Sequence, residues 1–334
     1  MKILIIFNND TQTTDLSDSS VLCYQSRKSI ETVALHVATA LKKIDENYDI
    51  TIAPIQSAQE IEDAAILHSP SLIFNLCESL DGDAANEIAV VEKLESLKIP
   101  FTGNSSKALS VALDKFLCNQ RLAKADIAVP HSFMLESIAD LDSIELEHHK
   151  YIIKPNNEDG STGIDESSVV ENIDELRAKV ESLFKDSNRR LIVQEFIEGR
   201  EINFAFLGQK ENLHWCTSEI IFDSTISAKH NILCYASKWS PESDHFKRST
   251  SKPVILSEEL KLKLNHSVAM AAEVLDMTSY GRVDFKVDSQ NRPYIIDVNP
   301  NCDLDPGAGM TLANLFVGLT YEQLVKSIVL KAME

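Results

Sequence analysis

Two stretches near the C-terminus alternate between apolar and polar residues. The first is GRVDFKVD (281–288) and the second, after the turn SQNRP, is YIIDVNPN (294–301). A period of two is typical of β-strands that bury one face and expose the other. If the two strands pair as a hairpin across this turn, their polar faces coincide, and the hairpin sets the class of site that the chain can build.

Three oxygen-bearing side chains fall on that polar face. In a hairpin, Asp284, Asp297 and Asn299 converge beside Arg282. Hard oxygen ligands suit Mg²⁺, which often bridges nucleotide phosphates. The alternative is a surface hairpin with solvated charges, which explains any single aspartate better than three such groups next to an arginine. We therefore interpret the hairpin as a magnesium site.

Short apolar runs alternate with helical patterns over about the first hundred residues. Strands are predicted at Lys2–Phe7, Ile50–Ile55 and Leu72–Leu76, and helices at Ser29–Lys43 and Ala84–Leu97. Strands that alternate with helices indicate a parallel α/β unit.

The remaining residues have a mixed α+β pattern. A single helix is predicted over Ser105–Ala125, and Tyr235–Trp239 shows no regular pattern. Further strands are predicted at Tyr151–Lys154, Leu191–Glu195, Glu201–Leu207, Leu213–Ile221, Arg282–Val287 and Tyr294–Val298. Further helices are predicted at Ile173–Phe184, Glu258–Leu275 and Tyr321–Met333. The predicted fold class is therefore α/β (α+β). The predicted domains are an N-terminal α/β domain (1–103), a central domain (104–195) and a C-terminal domain (196–334).

Charge and cysteine content narrow the partners and the compartment. The formal net charge of −19 argues against nucleic acid or an anionic membrane as a partner, because phosphate backbones need a basic face. No stretch of about 18 apolar residues is present. None of the six cysteines forms a CxxC pair, which predicts reduced thiols and a cytoplasmic location.

A lysine and a loop of small residues follow one another in IIKPNNEDGSTG (152–163). Loops of this composition expose backbone N–H groups that can cradle phosphate, and Lys154 would add a point charge. A strand followed by a surface loop explains the same pattern equally well, with Lys154 extending to solvent.

Two further segments have a binding interpretation and a structural one. In VQEFIEGRE (193–201), a linker strand with free backbone groups can pair with an adenine edge, and Phe196 can pack on the ring or simply lie in the core. In YASKW (235–239), Lys238 belongs to a mobile loop that closes over phosphates or to a solvated loop.

Several common nucleotide and metal motifs are absent from the sequence. There is no GxxxxGK[ST] and no HExxH. A GxGxxG pattern begins at Gly307 and Gly309, but Leu312 occupies the third glycine position and no strand precedes it. These observations exclude a Walker-type NTPase.

The order of the pieces resembles the ATP-grasp superfamily, and within it the D-alanine–D-alanine ligase-like branch. The likeness extends from FNLCESLDGD (74–83) and IPFTG (99–103) to the C-terminal helix. Single motifs are loose, whereas the ordered set is specific. The resemblance implies a three-subdomain ATP-grasp fold, in which an N-terminal α/β unit helps to bind substrate and two α+β units sandwich ATP.

The resemblance also implies a role for each matching residue. Phosphate contacts are implied for Lys115, Lys154, Lys238 and the loop Gly160, Ser161, Thr162 and Gly163. Adenine contacts are implied for Gln194, Glu195 and Ile197, and a ribose contact for Glu201. The implied metal ligands are Asp284, Asp297 and Asn299, and Arg282 is the arginine that steadies an acyl phosphate.

The chain departs from the family pattern at two places in this set. Asp297 stands where the family usually has glutamate, so the bridging of two ions is in doubt. The loop PNCDLDPGAG after Asn299 is longer than in the D-alanine ligases, which leaves open whether Gly307 or Gly309 supplies an oxyanion N–H.

The activity that the resemblance implies is an ADP-forming carbon–nitrogen ligation through an acyl phosphate. Its substrates would be a small-molecule carboxylate and an amine, such as amino acids or peptides. ATP and Mg²⁺ are the expected cofactors. Two Mg²⁺ ions are expected, and Mn²⁺ is an alternative metal. A homodimer is left open. Other readings are a genuine D-alanine–D-alanine ligase, a ligase that modifies a peptide or protein terminus, and a non-catalytic nucleotide-binding regulator.

The segment after the first strand favours a substrate other than D-alanine. In the family a glycine-rich loop follows this strand, whereas the first glycine here is Gly82. Residues 7–31 are polar and glycine-free, so the backbone cannot easily approach a small ligand. An amine is expected near Asp10, Asp15 and Asp18, a carboxylate near Arg27 and Lys28, and a second acidic contact at Glu78, Asp81 or Asp83. A surface loop is the alternative.

Overall fold

A computed structural model describes residues 1–9, 18–81, 83–144, 150–186, 190–208 and 213–334, without the side chains of residues 18–29, 143 and 186. The described strands form three sheets, and each sheet with its helices is called a unit below. No helix within these ranges is long and apolar enough to cross a bilayer.

The first unit is a three-stranded parallel sheet with helices on both sides, as the sequence predicts. Its strand order is β2–β1–β3, so the central strand is the first in the chain. Its elements are β1 (Lys2–Asn8), α1 (Asp18–Ile44), β2 (Asp49–Ile55), α2 (Ala58–His68), β3 (Leu72–Asn75) and α3 (Glu87–Leu97). β1 is buried along nearly its whole length, which explains its continuous apolar sequence.

The second unit is an antiparallel sheet of four strands in the order β4–β7–β5–β6. Two helices precede it, and one helix packs against it. Its elements are α4 (Ser106–Leu113), α5 (Lys115–Lys124), β4 (Ser132–Leu135), β5 (Tyr151–Pro155), β6 (Val169–Val170), α6 (Ile173–Asp186) and β7 (Leu191–Glu195).

The third unit is an antiparallel sheet of five strands in the order β10–β9–β8–β11–β12. Its strands are β8 (Arg200–Leu207), β9 (His214–Phe222), β10 (Ser249–Pro253), β11 (Tyr280–Val287) and β12 (Pro293–Asn299). Its helices are α7 (Tyr235–Trp239), α8 (Asp244–Arg248), α9 (Glu258–Val274), α10 (Gly309–Phe316) and α11 (Tyr321–Ala332). The predicted hairpin is β11–β12.

Hydrophobic contacts join the units. The core between β1 and α1 continues into α10 and α11, where Ile328 is fully buried. A second core combines Leu122 of α5 with Leu264 of α9 and Phe285 of β11. The helices that precede the second sheet therefore pack against the third.

Two local predictions are wrong. The helix predicted over Ser105–Ala125 is broken at Asp114, whose carboxylate accepts the Leu117 N–H at 2.9 Å and so starts α5 as an N-cap. Tyr235–Trp239, predicted to be irregular, is the short helix α7. Of the glycine-free segment 7–31, residues 10–17 lie outside the described residues, and α1 already begins at Asp18.

Gly199 gives a stability test of the link between β7 and β8. An added Cβ would lie 2.0 Å from the Val287 carbonyl oxygen, and φ is +151°. We expect Gly199→Ala to lower the free energy of unfolding by about 1–3 kcal/mol, as overpacking does. The control is Gly318→Ala, which has φ +87° but open space around it, and we expect a loss of about 1 kcal/mol there. Equal losses in urea titrations of both variants would contradict the steric argument.

Candidate active site

A cavity of about 740 Å³ is lined by residues from all three units. The predicted residues that line it are Lys115, Lys154, Gly160, Ser161, Thr162, Gln194, Glu195, Phe196, Ile197, Glu201, Lys238, Arg282, Asp284, Asp297, Asn299, Gly307 and Gly309. Gly163 lies beside the cavity with φ +75°, where an added Cβ would be 2.8 Å from Pro155 Cγ. The fold thus brings together residues spread over almost 200 positions.

The register of β11 places the predicted metal ligands side by side. Asp284 lies opposite Asp297 on β12 and opposite Asn203 on β8. Arg282 Nε and Nη2 donate to the two Asp284 carboxylate oxygens at 2.7 and 2.9 Å, and Asn203 Nδ2 donates at 2.7 Å. Asn299 Nδ2 donates to Asp284 and Asp297 at 3.4 and 3.3 Å. These polar groups form one hydrogen-bonded network on the cavity wall.

The carboxylate of Asp297 is surrounded by cations from separate elements. Burial opposes its charge, but Lys115, Lys154, Lys238 and Arg282 outweigh burial and lower the pKa of Asp297 to about 2. Lys115 Nζ lies 3.6 Å from Asp297 Oδ1. Asp297 is therefore ionised at neutral pH, as a metal ligand requires.

The break at Asp114 explains the position of Lys115. As the first residue of α5, its ammonium donates to the Glu158 carbonyl at 2.7 Å and to Asp159 Oδ1 at 3.2 Å. Burial opposes the charge, yet Asp297 and Asp159 raise the pKa of Lys115. An uninterrupted helix would not start at this point, so the cap directs the lysine toward the loop before Gly160.

Lys154 is a buried cation, and Lys238 is a partly buried one. Burial lowers the pKa of Lys154 to about 8, although Asp297 acts in the opposite direction, and Lys154 Nζ donates to the Ile296 carbonyl at 3.3 Å. Burial also lowers the pKa of Lys238 on α7, followed by repulsion from Arg282. Both ammonium groups would gain from an anionic ligand.

The helix α7 and the glycine loop touch each other across the cavity. Trp239 Nε1 donates to the Gly160 carbonyl at 3.1 Å. The segment that carries Lys238 and the loop of Gly160–Gly163 therefore cover the same part of the cavity.

The linker between β7 and β8 is more fully hydrogen-bonded than the sequence suggests. The Glu195 and Phe196 N–H groups donate to the His131 and Lys150 carbonyls at 2.8 and 2.9 Å. Within the described part of the chain, the Ile197 N–H has no backbone partner. Phe196 packs edge-on against His230, 5.7 Å between ring centroids, and also faces the cavity. Ile197 also lines the cavity, which makes its N–H a candidate partner for a base.

The buried ion pair between Lys286 and Glu201 is a feature that sequence reasoning missed. Lys286 Nζ lies 2.8 Å from Glu201 Oε2 and donates to the Asn231 carbonyl at 3.2 Å. Lys286 shares the polar face of β11 with Asp284, and Asn203 shares that of β8 with Glu201. The period of two therefore contained the signal for both Lys286 and Asn203.

The loop after β12 distinguishes the two candidate glycines. The Gly307 N–H donates to Asp305 Oδ1 at 2.7 Å. Gly309 starts α10, and an added Cβ there would lie 3.3 Å from Arg282 Cδ. The N-cap residue Ala308 provides no side-chain cap, so the first N–H groups of α10 remain available beside Arg282.

The expected substrate contacts are only partly described. Asp10 and Asp15 lie outside the described residues, and for Asp18, Arg27 and Lys28 only the backbone of α1 is described. Glu78 lines the cavity, whereas Asp81 and Asp83 are exposed and do not. The cavity also contains Glu87 and Asp303, which lack a periodic signal in the sequence.

Comparisons with known proteins identify the family of the chain. A family model described as "D-ala D-ala ligase C-terminus" matches residues 132–330. The chain is 28% identical over 255 residues to a D-alanine–D-alanine ligase of Halalkalibacterium halodurans, covering 75% of this chain and 79% of that one. Over 309 residues it is 22% identical to a D-alanine–D-alanine ligase of Aquifex aeolicus, covering 92% and 99%.

A solved structure shows the same fold over the full length. It is the D-alanine–D-alanine ligase of Bacillus anthracis complexed with ATP, with a TM-score of 0.75, 18% identity, and coverage of 100% of this chain and 97% of that one. The predicted three-part ATP-grasp fold is thus confirmed. Because the family model matches more than half of the chain, the protein belongs to the D-alanine–D-alanine ligase-like family of the ATP-grasp superfamily.

Proposed function

We propose that the chain is an ADP-forming carbon–nitrogen ligase that joins a carboxylate to an amine. The observation that carries this proposal is the Asp297 carboxylate on one wall of the cavity, with Lys115, Lys154, Lys238 and Arg282 around it. Such a concentration of cations around metal-ligand carboxylates suits a metal-bound triphosphate. The names of the relatives support the same class of reaction.

ATP would lie along the cavity from the linker to the β11–β12 hairpin. The Ile197 N–H would pair with the adenine edge, Phe196 would pack on the ring, and Glu201 would accept from the ribose. Lys115, Lys154, Lys238 and the N–H groups of the loop 160–163 would bind the phosphates. This assignment is supported by the positions of these groups in one cavity.

The residues on the hairpin fit Mg²⁺. Asp284 and Asp297 are opposed carboxylates, and ligation by Asn299 takes the opposite amide orientation, with Oδ1 toward them. Within the described ranges, no three His, Cys, Asp or Glu side chains form a metal site. When bound, Mg²⁺ would neutralise phosphate charge. Two ions and Mn²⁺ as an alternative stay predictions.

The proposed reaction has two steps. A carboxylate oxygen attacks the γ-phosphorus, the bond to the β-phosphate oxygen breaks, and ADP leaves. The neutral amine then attacks the carbonyl carbon of the acyl phosphate, phosphate leaves, and the nitrogen loses a proton. Arg282 and the Gly309 N–H at the start of α10 would stabilise the negative charge that develops on the oxygens. We favour Gly309 over Gly307, because the Gly307 N–H already donates to Asp305.

The substrates are proposed only as a class, an amino acid or peptide carboxylate and an amine. D-Alanine, suggested by the relatives' names, remains the main alternative, and our expectation of a substrate other than D-alanine stays a prediction. A ligase for a peptide or protein terminus, a non-catalytic regulator and a homodimer also stay open. The five cysteines described as free and buried support the proposed reducing, cytoplasmic compartment.

A screen tests the proposal directly. ADP and phosphate release would be measured with Mg-ATP across L- and D-amino acids, dipeptides and simple amines, and products identified by mass. We expect release that depends on a carboxylate and an amine together. ATP binding without release under any combination would favour the regulator.

The first prediction concerns the metal ligands. Asp297→Asn or Asn299→Ala should lower ADP formation by about 100-fold or more at saturating Mg²⁺, because several kcal/mol of charge neutralisation in the transition state are lost. The control is Asp126→Asn, an exposed position with φ +58° that asparagine tolerates. Near-normal rates in either cavity variant, with all three proteins folded, would remove this hairpin from the metal site.

The second prediction concerns the protonation of Lys154. Its pKa is lowered to about 8 in the empty cavity, and a triphosphate would raise the pKa by adding negative charge. Nucleotide binding at pH 8.5 should therefore take up protons, and affinity should fall as pH rises from 7 to 9. Calorimetry in buffers of different ionisation enthalpy measures this uptake. It should shrink in Lys154→Met and persist in the exposed control Lys124→Met, whereas equal uptake in both would place Lys154 away from the phosphates.

A further inference from the structure

Part of the cavity wall is acidic. Four carboxylates line it: Glu78 after β3, Glu87 at the start of α3, and Asp303 and Asp305 in the loop between β12 and α10. We call these four residues the acidic end. It belongs to the same cavity as Arg282 and Gly309, where the proposed acyl phosphate forms.

The hydrogen bonds of the acidic end come from neutral groups. Glu87 Oε1 accepts from Asn301 Nδ2 at 3.1 Å. Asp303 accepts from the Asp305 N–H, and Asp305 from the Gly307 N–H, both at 2.7 Å. The Glu78 carboxylate has neither a hydrogen bond nor an ion pair among the described residues, although it faces the cavity. No described lysine or arginine forms an ion pair with any of the four.

Burial makes these carboxyl groups difficult to ionise in the empty cavity. Burial, followed by Asp303 and Glu87, raises the pKa of Glu78 well above its ordinary value. Burial raises the pKa of Glu87 to about 8 despite the hydrogen bond from Asn301. A ligand with positive charge would relieve this repulsion.

Four cations of the cavity are paired with groups outside the acidic end. Lys286 pairs with Glu201, Arg282 is bound bidentately to Asp284, and Lys115 contacts Asp159. Lys154 donates to the Ile296 carbonyl on the hairpin. Arg282 and Lys238 also act on Asp303, whereas the charged groups that act on Glu78 and Glu87 are all carboxylates, so these two residues are the ones that the described part of the cavity offers to ammonium groups.

The spacing of the carboxylates favours an extended ligand over a metal ion. No three acidic, histidine or cysteine side chains in the described ranges meet closely enough to hold one ion. The four carboxylates come from three separate parts of the cavity wall: the connection after β3, the start of α3 and the loop between β12 and α10. A chain with separated positive groups matches that distribution.

We infer that the acceptor amine of the proposed ligation carries a second ammonium group, so that its class is a diamine or a dibasic amino acid. This inference rests on the proposed ligase function. One amine, neutral when it reacts, attacks the acyl carbon and loses its proton as phosphate leaves. The second amine stays protonated and binds at Glu78 and Glu87, which a neutral amino acid would leave without a counter-charge.

Matched acceptors test the inference. The pairs are 1,4-diaminobutane against butylamine and ornithine against norvaline, in both enantiomers, with D-alanine included and a panel of amino acids as carboxylate donors. ADP formation and a product mass equal to donor plus acceptor minus water are measured. We expect kcat/KM for the diamine member to exceed that of its partner by about 10-fold or more, as a charge-assisted contact provides.

Variants locate the preference. Glu78→Gln and Glu87→Gln should raise the KM for the diamine and bring the ratio within each pair toward one. The control Glu92→Gln lies exposed on the same helix as Glu87 and should keep the ratio.

The outcomes separate the inference from the proposed function. Product formation with monoamines or D-alanine as efficient as with diamines would overturn the inference and leave the ligase intact. A preference that survives in the Glu78→Gln/Glu87→Gln double variant would overturn it as well. ATP binding without product from any acceptor would overturn the ligase function, and the inference with it.

Discussion

The charge on Asp297 is the constraint on which the active site depends. Its carboxylate faces four cations carried by α5, β5, α7 and β11; Lys115 and Lys154 are buried, and Lys238 and Arg282 are partly buried. Buried charges are tolerated only when they are paired or hydrogen-bonded. The hairpin residue thus couples the second unit to the third, and the same cations would be available to a triphosphate. The electrostatic arrangement that keeps the cavity charged is therefore also the one that suits phosphoryl transfer.

Asn104 joins the first unit to the third in a comparable way with hydrogen bonds. Its side-chain oxygen accepts the Thr278 and Ser279 N–H groups at 2.8 and 3.0 Å, and its amide donates to the Tyr280 carbonyl at 2.7 Å. Its backbone N–H donates to Asn301 Oδ1 at 2.8 Å, and Asn301 in turn contacts Glu87. This network sets the distance between the acidic end, which starts on α3, and the hairpin with the phosphate residues.

The sequence was most informative where side chains follow a regular period. The alternation of residues 281–288 correctly predicted that Arg282 and Asp284 share a face, and the order of strands and helices correctly predicted the parallel first unit. Prediction from the sequence failed where a single local hydrogen bond decides the structure. Nothing in the apolar pattern of 105–125 shows that Asp114 ends one helix and caps the next. The strand β10, with its polar sequence STSKP, depends on pairing with β9 and has no apolar alternation to reveal it.

The contrast between regular strands and irregular connections also explains why the groups for ATP and the metal are easier to predict than those for the substrate. The proposed metal ligands, together with Arg282, Lys154 and Glu201, project from strands β5, β8, β11 and β12, so their positions follow from register and a resemblance can transfer them. Glu78, Asp303 and Asp305 lie in connections, and Glu87 is the first residue of a helix; their meeting in one cavity is a product of the tertiary fold. A loop that is longer by a few residues can change the charge of that end without disturbing a single strand pair. Membership of the family therefore constrains the phosphate end far more tightly than the end where the acceptor is chosen.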